Sequence, residues 1–305
     1  MAGVAETLYD SAAPALLPMI VKRDELTRAN GRLFAVELTA NEFIGPPLGG
    51  FLITAGAVLS LATPAASWLV AVGLLLLGVR GNFRADQPTQ APSSWYHEAL
   101  VGLRYLWRHD VLRVLAFVVG TFNFCSQAVY ATLVLYVVGP GSAMGLNGTA
   151  YGLLLAVGAV GNVVGFLFVA ERVEHRWGRA RVITVAILVA GLALTAPGAT
   201  TNPWIIGGAG FVGGVANAAW NVITVSLRQR TSPLPLLGRV SSGFRMLAWG
   251  TGPLGAVAGG LAAEAVGLRP VFATAGALAA LLVVPIYRLN DRRLDRAERE
   301  SSPAS

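Results

Sequence analysis

Two carboxylates, Asp10 and Glu42, stand in stretches that are otherwise almost free of charge. Asp10 lies midway along the apolar run 2–21. Glu42 lies within the run 33–56, three residues before a Gly-Pro pair. An ionised carboxylate at the centre of a bilayer costs roughly 2.5–3.5 kcal/mol or more, a cost that protonation, pairing or water lowers. The chemistry open to these groups is therefore reversible proton binding. The other reading is a pair with an interhelical Arg or a hydrated crevice, which Glu37 fits better, while Glu6 fits an outer surface. A second set of residues is neutral. Asn123 and Gln127 are four apart and share a helix face that Tyr130 continues, and Asn217 and Asn221 repeat the spacing beside Trp220. Amides with aromatics suit a bulky amphipathic molecule that needs stacking and a few hydrogen bonds. They equally suit hydrogen bonds between helices.

Other chemistry finds little support. Cys125 is single, which excludes an internal disulfide and fits packing. His97, His109 and His175 lack ligand spacing, so no metal or cofactor is expected. No Ser-His-Asp or Cys-His arrangement is placed to work, so no enzyme is expected. Gly158, Gly161 and Gly165 in "GAVGNVVG" lack the strand and the Lys-Ser/Thr of a phosphate loop and read as close-packing sites. The "NGT" at 147–149 is a weak glycosylation match.

The elements that must position these residues follow from composition. The chain has 305 residues, 54% hydrophobic and 13% charged, against about 25% charged in an ordinary soluble domain. Its mean hydropathy is +0.61. So little polar surface cannot cover the chain in water, and the bilayer is the expected solvent and partner. Nine apolar stretches reach the roughly 20 residues that a span needs: 2–21, 33–56, 58–79, 111–138, 148–170, 180–199, 203–227, 240–264 and 268–288. No strand-like alternation runs far enough for a barrel, so the expected fold is an all-α membrane protein of about nine helices. The cluster "GPPLGG" at 45–50 interrupts nothing on this reading, because membrane helices tolerate Gly and Pro.

Charge sets the topology. Of the 23 Lys and Arg residues, 22 fall on alternate links and therefore on one side, and Arg269 alone falls on the other. The basic side is expected to be cytoplasmic, with the C-terminus inside and the N-terminus of this chain outside. Topology accounts for the net charge of +7 without nucleic acid as a partner. One Lys against 22 Arg, with abundant Ala and Gly, is the usage of a GC-rich bacterial gene, so a multi-pass protein of the bacterial plasma membrane is expected. Residues 93–110 read as an interfacial helix with Trp95, Leu103, Leu106 and Trp107 toward lipid, and the charged tail as solvated.

A repeat lies under this pattern. "GRLFAVELTANEFIGP" from Gly31 and "GRVSSGFRMLAWGTGP" from Gly238 share Gly-Arg and Gly-Pro at one offset of 207, aligning Gly45 and Pro46 with Gly252 and Pro253. Both copies begin at a basic link and enter a span, as in transporters with parallel duplicated halves. From Val111 to Gly238 is 127 residues, whereas 30 precede Gly31, a deficit of 97, about three helices with their links. The chain is expected to correspond to spans four to twelve of twelve.

On these features the chain resembles the major facilitator superfamily, and within it the macrolide-efflux and siderophore-export branch. "DSAAPALLPMIVKRDELTRANGRL" is similar to that branch's fourth span and following loop, and "EALVGLRYLWRHDVLRVL" to its central loop and seventh span. Gly45, Pro46, Gly49 and Gly50 match the core of the antiporter motif, though Asn41 and Arg32 stand where earlier glycines would be. "ERVEHRWGRAR" resembles the loop motif between spans eight and nine through Glu171, Arg172, Gly178 and Arg179, with Glu in place of the usual Asp. The resemblance implies alternating access about a central site, usually driven by protons, with spans seven and ten lining the cavity. It makes Asp10 and Glu42 proton-coupling candidates and Asn123, Gln127, Tyr130, Asn217, Trp220 and Asn221 substrate-contact candidates. It also gives the glycines and prolines of the repeat a gating role.

The expected organisation is a partial N-terminal half at 1–79, a central loop at 80–110, a C-terminal half at 111–290 and a tail at 291–305. The expected function is proton-coupled efflux of small amphipathic molecules. The alternative is a transport-inactive fragment or membrane interaction protein.

Overall fold

The computed structural model describes residues 21–44, 95–139, 141–287 and 289–301, with isolated positions between 17 and 73. Among these residues it is helical, with an isolated bridge between Val138 and Leu146. Helix α1, Leu26–Leu38, continues as a π-helical turn over Thr39–Ile44. Helix α2 is Trp95–Arg108 and α3 is Asp110–Val137. Helix α4, Gly148–Val164, runs through a π-helical turn at Gly165–Val169 into α5, Ala170–Trp177. There follow α6, Arg179–Ala199, and α7, Pro203–Thr231. The chain continues in α8, Leu234–Val266, α9, Leu268–Leu281, α10, Val283–Tyr287, and α11, Asp291–Ser301.

Five of these segments are long and apolar enough to cross a membrane: Asp110–Val137, Gly148–Trp177, Arg179–Ala199, Pro203–Thr231 and Leu268–Tyr287. Helix α8 is longer than any of them at 33 residues, but its glycines and Pro253 dilute its apolar character. It nonetheless exposes Leu254, Val257 and Leu261 by more than 60% each, a face suited to lipid rather than water. The runs 2–21 and 58–79 fall mainly outside the described residues, as do Asp10, Gly45, Pro46, Gly49 and Gly50.

The helix ends are chemically specified. Asn147 Oδ1 accepts from Ala150 N at 2.9 Å, so the "NGT" asparagine serves as the cap of α4. Asn202 caps α7 through Trp204 N at 2.9 Å, with Pro203 in the first turn where no amide donor is needed. Single glycines form the whole link between α5 and α6 and between α8 and α9. Gly178 at φ +80° and Gly267 at φ +88° adopt a backbone that side-chain-bearing residues avoid.

Packing follows the small residues. Helix α3 lies along α8, α4 along α7, and α6 along both α7 and α9. A Cβ on Gly161 would stand 2.2 Å from Phe211 O, and one on Gly165 would stand 2.6 Å from Val215 O, so α4 and α7 meet backbone to backbone. The isolated basic residue of the opposite face, Arg269, donates from Nε to Tyr136 Oη at 3.2 Å, and Tyr136 in turn donates to Thr200 O at 3.3 Å. That chain ties the ends of α9, α3 and α6 that lie away from the Arg-rich side.

Two expectations are corrected. Helix α2 forms where an interfacial helix was expected, but Leu106 is fully buried in the core rather than turned to lipid. Gly102 explains it: a Cβ there would stand 2.2 Å from Arg239 O, so α2 is pressed against α8. Tyr105 adds a bond from its hydroxyl to Thr231 O at 3.4 Å, and burial raises its pKa, keeping the phenol protonated to donate. The tail, expected to be solvated, forms α11. Its Leu294 is fully buried, and Asp291 Oδ1 accepts from Ala180 N at 2.9 Å.

Candidate functional site

A cavity of about 730 Å³ opens between α3, α4, α6, α7 and α8, with Leu38 of α1 on its wall. Helix α3 supplies a continuous polar row from one face: Asn123, Ser126, Gln127 and Tyr130, spaced three, four and seven residues from the first. Asn162 of α4, Asn217 of α7 and Trp249 of α8 complete the polar and aromatic part. Gly252 also lines it, with no room between its backbone and Gln127 for more than a Cβ in ordinary contact at 3.4 Å.

Some of these amides are spoken for. Asn123 Nδ2 donates to Ala248 O at 2.7 Å, orienting its Oδ1. Asn162 Nδ2 donates to Gly158 O at 3.2 Å, and Asn217 Nδ2 donates to Asn162 Oδ1 at 3.1 Å. The last bond is possible because Gly214 leaves α4 and α7 in contact: a Cβ there would lie 3.1 Å from Asn162 Nδ2. Ser126 differs. It is 8% exposed, and its Oγ has no hydrogen-bond partner among the described residues.

Trp220 and Asn221 do not share this wall. Trp220, 3% exposed, sits in the hydrophobic core: three residues beyond Asn217 it is turned about 60° from the cavity face. Asn221 lies one turn beyond Asn217 toward the Arg-rich end, next to Val222, whose Cγ2 faces Gly31 of α1. Ser126 and Asn162 were missed in the sequence. The signal for Ser126 was its place one turn from Asn123, and that for Asn162 was a single amide in an otherwise apolar span.

At the Arg-rich end, α1 and α7 close together. Asn30 Nδ2 lies 3.0 Å from Ser226 Oγ and 2.7 Å from Gln229 Oε1, all three buried. Arg230 reaches Thr27 Oγ1 at 3.4 Å and pairs with Glu174 at 3.7 Å, the pair's side chains being 13% and 12% exposed. Gly31 admits Phe166 O to 2.5 Å from where a Cβ would be, and Phe34 stacks on Phe166 at 5.5 Å. Glu171 of the loop motif pairs with Arg28 at 3.8 Å, while Arg172 NH1 bonds back to Phe168 O at 2.6 Å. Arg179 instead meets Asp295 and Glu298 of α11. Gly178 faces Asp291, whose Oδ2 would be 2.6 Å from a Cβ there.

Glu42 falls on the π-helical turn that continues α1, and Glu37 on α1 itself. Gly252 and Pro253 lie inside α8, which runs unbroken through them. Among the described residues no group of three or more His, Cys, Asp or Glu side chains could hold a metal ion.

Long helices thus surround the cavity, and toward the Arg-rich end polar contacts join helices from distant parts of the chain. The Major Facilitator Superfamily model matches residues 1–171 and 131–304, and the chain belongs to that family. A crystal structure of a bacterial homologue of the iron transporter ferroportin, in an outward-facing state, shares the fold at a TM-score of 0.67 and 17% identity. The match covers 90% of this chain and 66% of that one, so the present chain spans about two thirds of that structure. No curated protein matches the sequence.

Proposed function

We propose that this membrane transporter is a secondary active exporter that moves small amphipathic molecules by alternating access. The observation that carries this reading is the cavity wall of Asn123, Gln127, Tyr130 and Asn217 above a closure in which Asn30 ties α1 to α7. Amides and a phenol beside Leu, Ala and Gly suit an apolar body with a few hydrogen-bonding groups. Among the described residues the wall carries no carboxylate or imidazole, the groups that would hold a metal ion such as iron. Proton exchange supplies the drive, with Asp10 and Glu42 as the coupling carboxylates, because a carboxylate at membrane depth is held at low cost only when protonated or paired. The Arg-rich end faces the cytoplasm of a bacterium by the positive-inside rule. Residues 1–79, with the antiporter motif at Gly45, Pro46, Gly49 and Gly50, act as the N-terminal bundle that rocks against 111–290.

The test is efflux of a fluorescent amphipathic dye from energised cells expressing the chain, with and without an uncoupler. Uncoupler-sensitive efflux that falls in Asp10→Asn and Glu42→Gln is the expected result. Efflux no faster than in cells without the protein would sink the exporter reading.

A further inference from the structure

We propose that the substrate binds as an uncharged molecule, held by a neutral hydrogen-bonding row on α3. This rests on the cavity being the substrate site, and it goes further by naming the chemical class. No Asp, Glu, Lys, Arg or His is among the described residues that line the cavity, although the closure a few turns away is crowded with them. Arg28, Glu171, Glu174 and Arg230 gather at the Arg-rich end, while the described side chains that line the wall are amides, hydroxyls and apolar groups, the nearest cation among the described contacts being Arg245, stacked on Trp249. A charged substrate seated there would have to shed water without a counter-charge from this wall, which membrane depth penalises.

The available bonds are also those of a neutral ligand. Asn123, Asn162 and Asn217 each commit an NH₂ donor to a protein oxygen, which leaves Asn123 Oδ1 and Asn217 Oδ1 as acceptors. Ser126 Oγ, enclosed and unpartnered among the described residues, sits behind this row and leaves the exposed contacts to Gln127 and Tyr130. Gln127 and Tyr130 offer donors and acceptors on one face, matching a ligand with both, such as an amide or an alcohol. Trp249, held by Arg245 stacked at 4.7 Å from its ring, presents an aromatic face for the apolar body.

The experiment uses three probes with one fluorescent body: N-dansylglycinamide, which is neutral, N-dansylglycine, an anion, and N-dansylethylenediamine, a cation. Each is titrated against the full chain in lipid nanodiscs, with empty nanodiscs subtracted. The neutral amide is expected to bind at least about tenfold more tightly than either ion. Gln127→Leu and, separately, the smaller change Tyr130→Phe should weaken it several-fold without lowering the unfolding temperature. If an ion binds as well as the amide and Gln127→Leu weakens that binding, the cavity reading stands and the uncharged class is overturned. If no probe shows saturable binding sensitive to either substitution, the cavity reading fails and takes this inference with it.

Discussion

Replacing Asn30 with Leu withdraws a donor from Ser226 Oγ and Gln229 Oε1 together, inside a contact where all three residues are buried. Leaving such groups short of a partner costs about 1–3 kcal/mol. Asn30→Leu should therefore lower the thermal midpoint in detergent by several degrees, measured by intrinsic fluorescence. Arg28→Ala, which removes an ion pair at 3.8 Å between side chains 56% and 41% exposed, should change stability by less than about 1 kcal/mol. Equal effects would mean that charge, not the buried amide, holds α1 in place. Of the charged members of this contact, Glu171 was visible in the sequence as part of a loop motif. Asn30 was not, because an Asn in "TRANGR" reads as one more polar link residue until the helix is known to start at Leu26. The same limit applies in the cavity. Asn123, Gln127 and Tyr130 were legible as one helix face from their spacing and as cavity candidates from the family resemblance, whereas Trp220 was misplaced because in a Gly- and Ala-rich helix an aromatic can serve either face.

Among the elements, α8 offers a test within two adjacent residues. A Cβ on Gly259 would meet Ala128 Cα at 2.7 Å, while one on Gly260 would meet nothing within 4 Å. Gly259→Ala must push α3 and α8 apart and should cost about 1–3 kcal/mol. Gly260→Ala should be neutral or stabilise by up to about 1 kcal/mol, since alanine loses less backbone entropy in a helix. Chemical denaturation of the two variants side by side decides it, and a reversed order would mean that the helices do not meet as described. The spans themselves were readable because lipid demands length and apolarity, and the segments at 111–138, 180–199 and 268–288 agree with α3, α6 and the α9–α10 segment to within about two residues. What hydropathy could not convey was lateral packing. The tail shows this most clearly, since one buried side chain, Leu294, decides whether "RRLDRAERES" is solvated or docked.

For the whole molecule, the uncharged substrate and the proposed proton exchange have a joint consequence. Exchanging protons for a neutral molecule moves net charge, and each charge crossing 100 mV is worth about 2.3 kcal/mol. In proteoliposomes without a pH difference, a potential negative on the Arg-rich side should accelerate export several-fold, read as the rate of dye release after valinomycin is added. A rate indifferent to potential would require either a charged cargo or a different coupling ion. The Gly-Arg and Gly-Pro repeat at an offset of 207 puts Gly31 and Gly238 in corresponding places, and both fall in the first two turns of their helices, α1 and α8.

The docking of α11 bears finally on how the protein is made. Asp291 supplies the acceptor for the first turn of α6, yet it lies 111 residues after Ala180. At ordinary rates of synthesis that separation is on the order of ten seconds. Throughout that interval the turn at Gly178 and Arg179 has none of its three carboxylate partners, Asp291, Asp295 and Glu298. A ribosome that stalls or shifts frame late in the message would leave a bundle inserted in the bilayer but with this turn unlatched. Membrane proteases that survey the Arg-rich face would then find a completed molecule closed and an aborted one open at the same place.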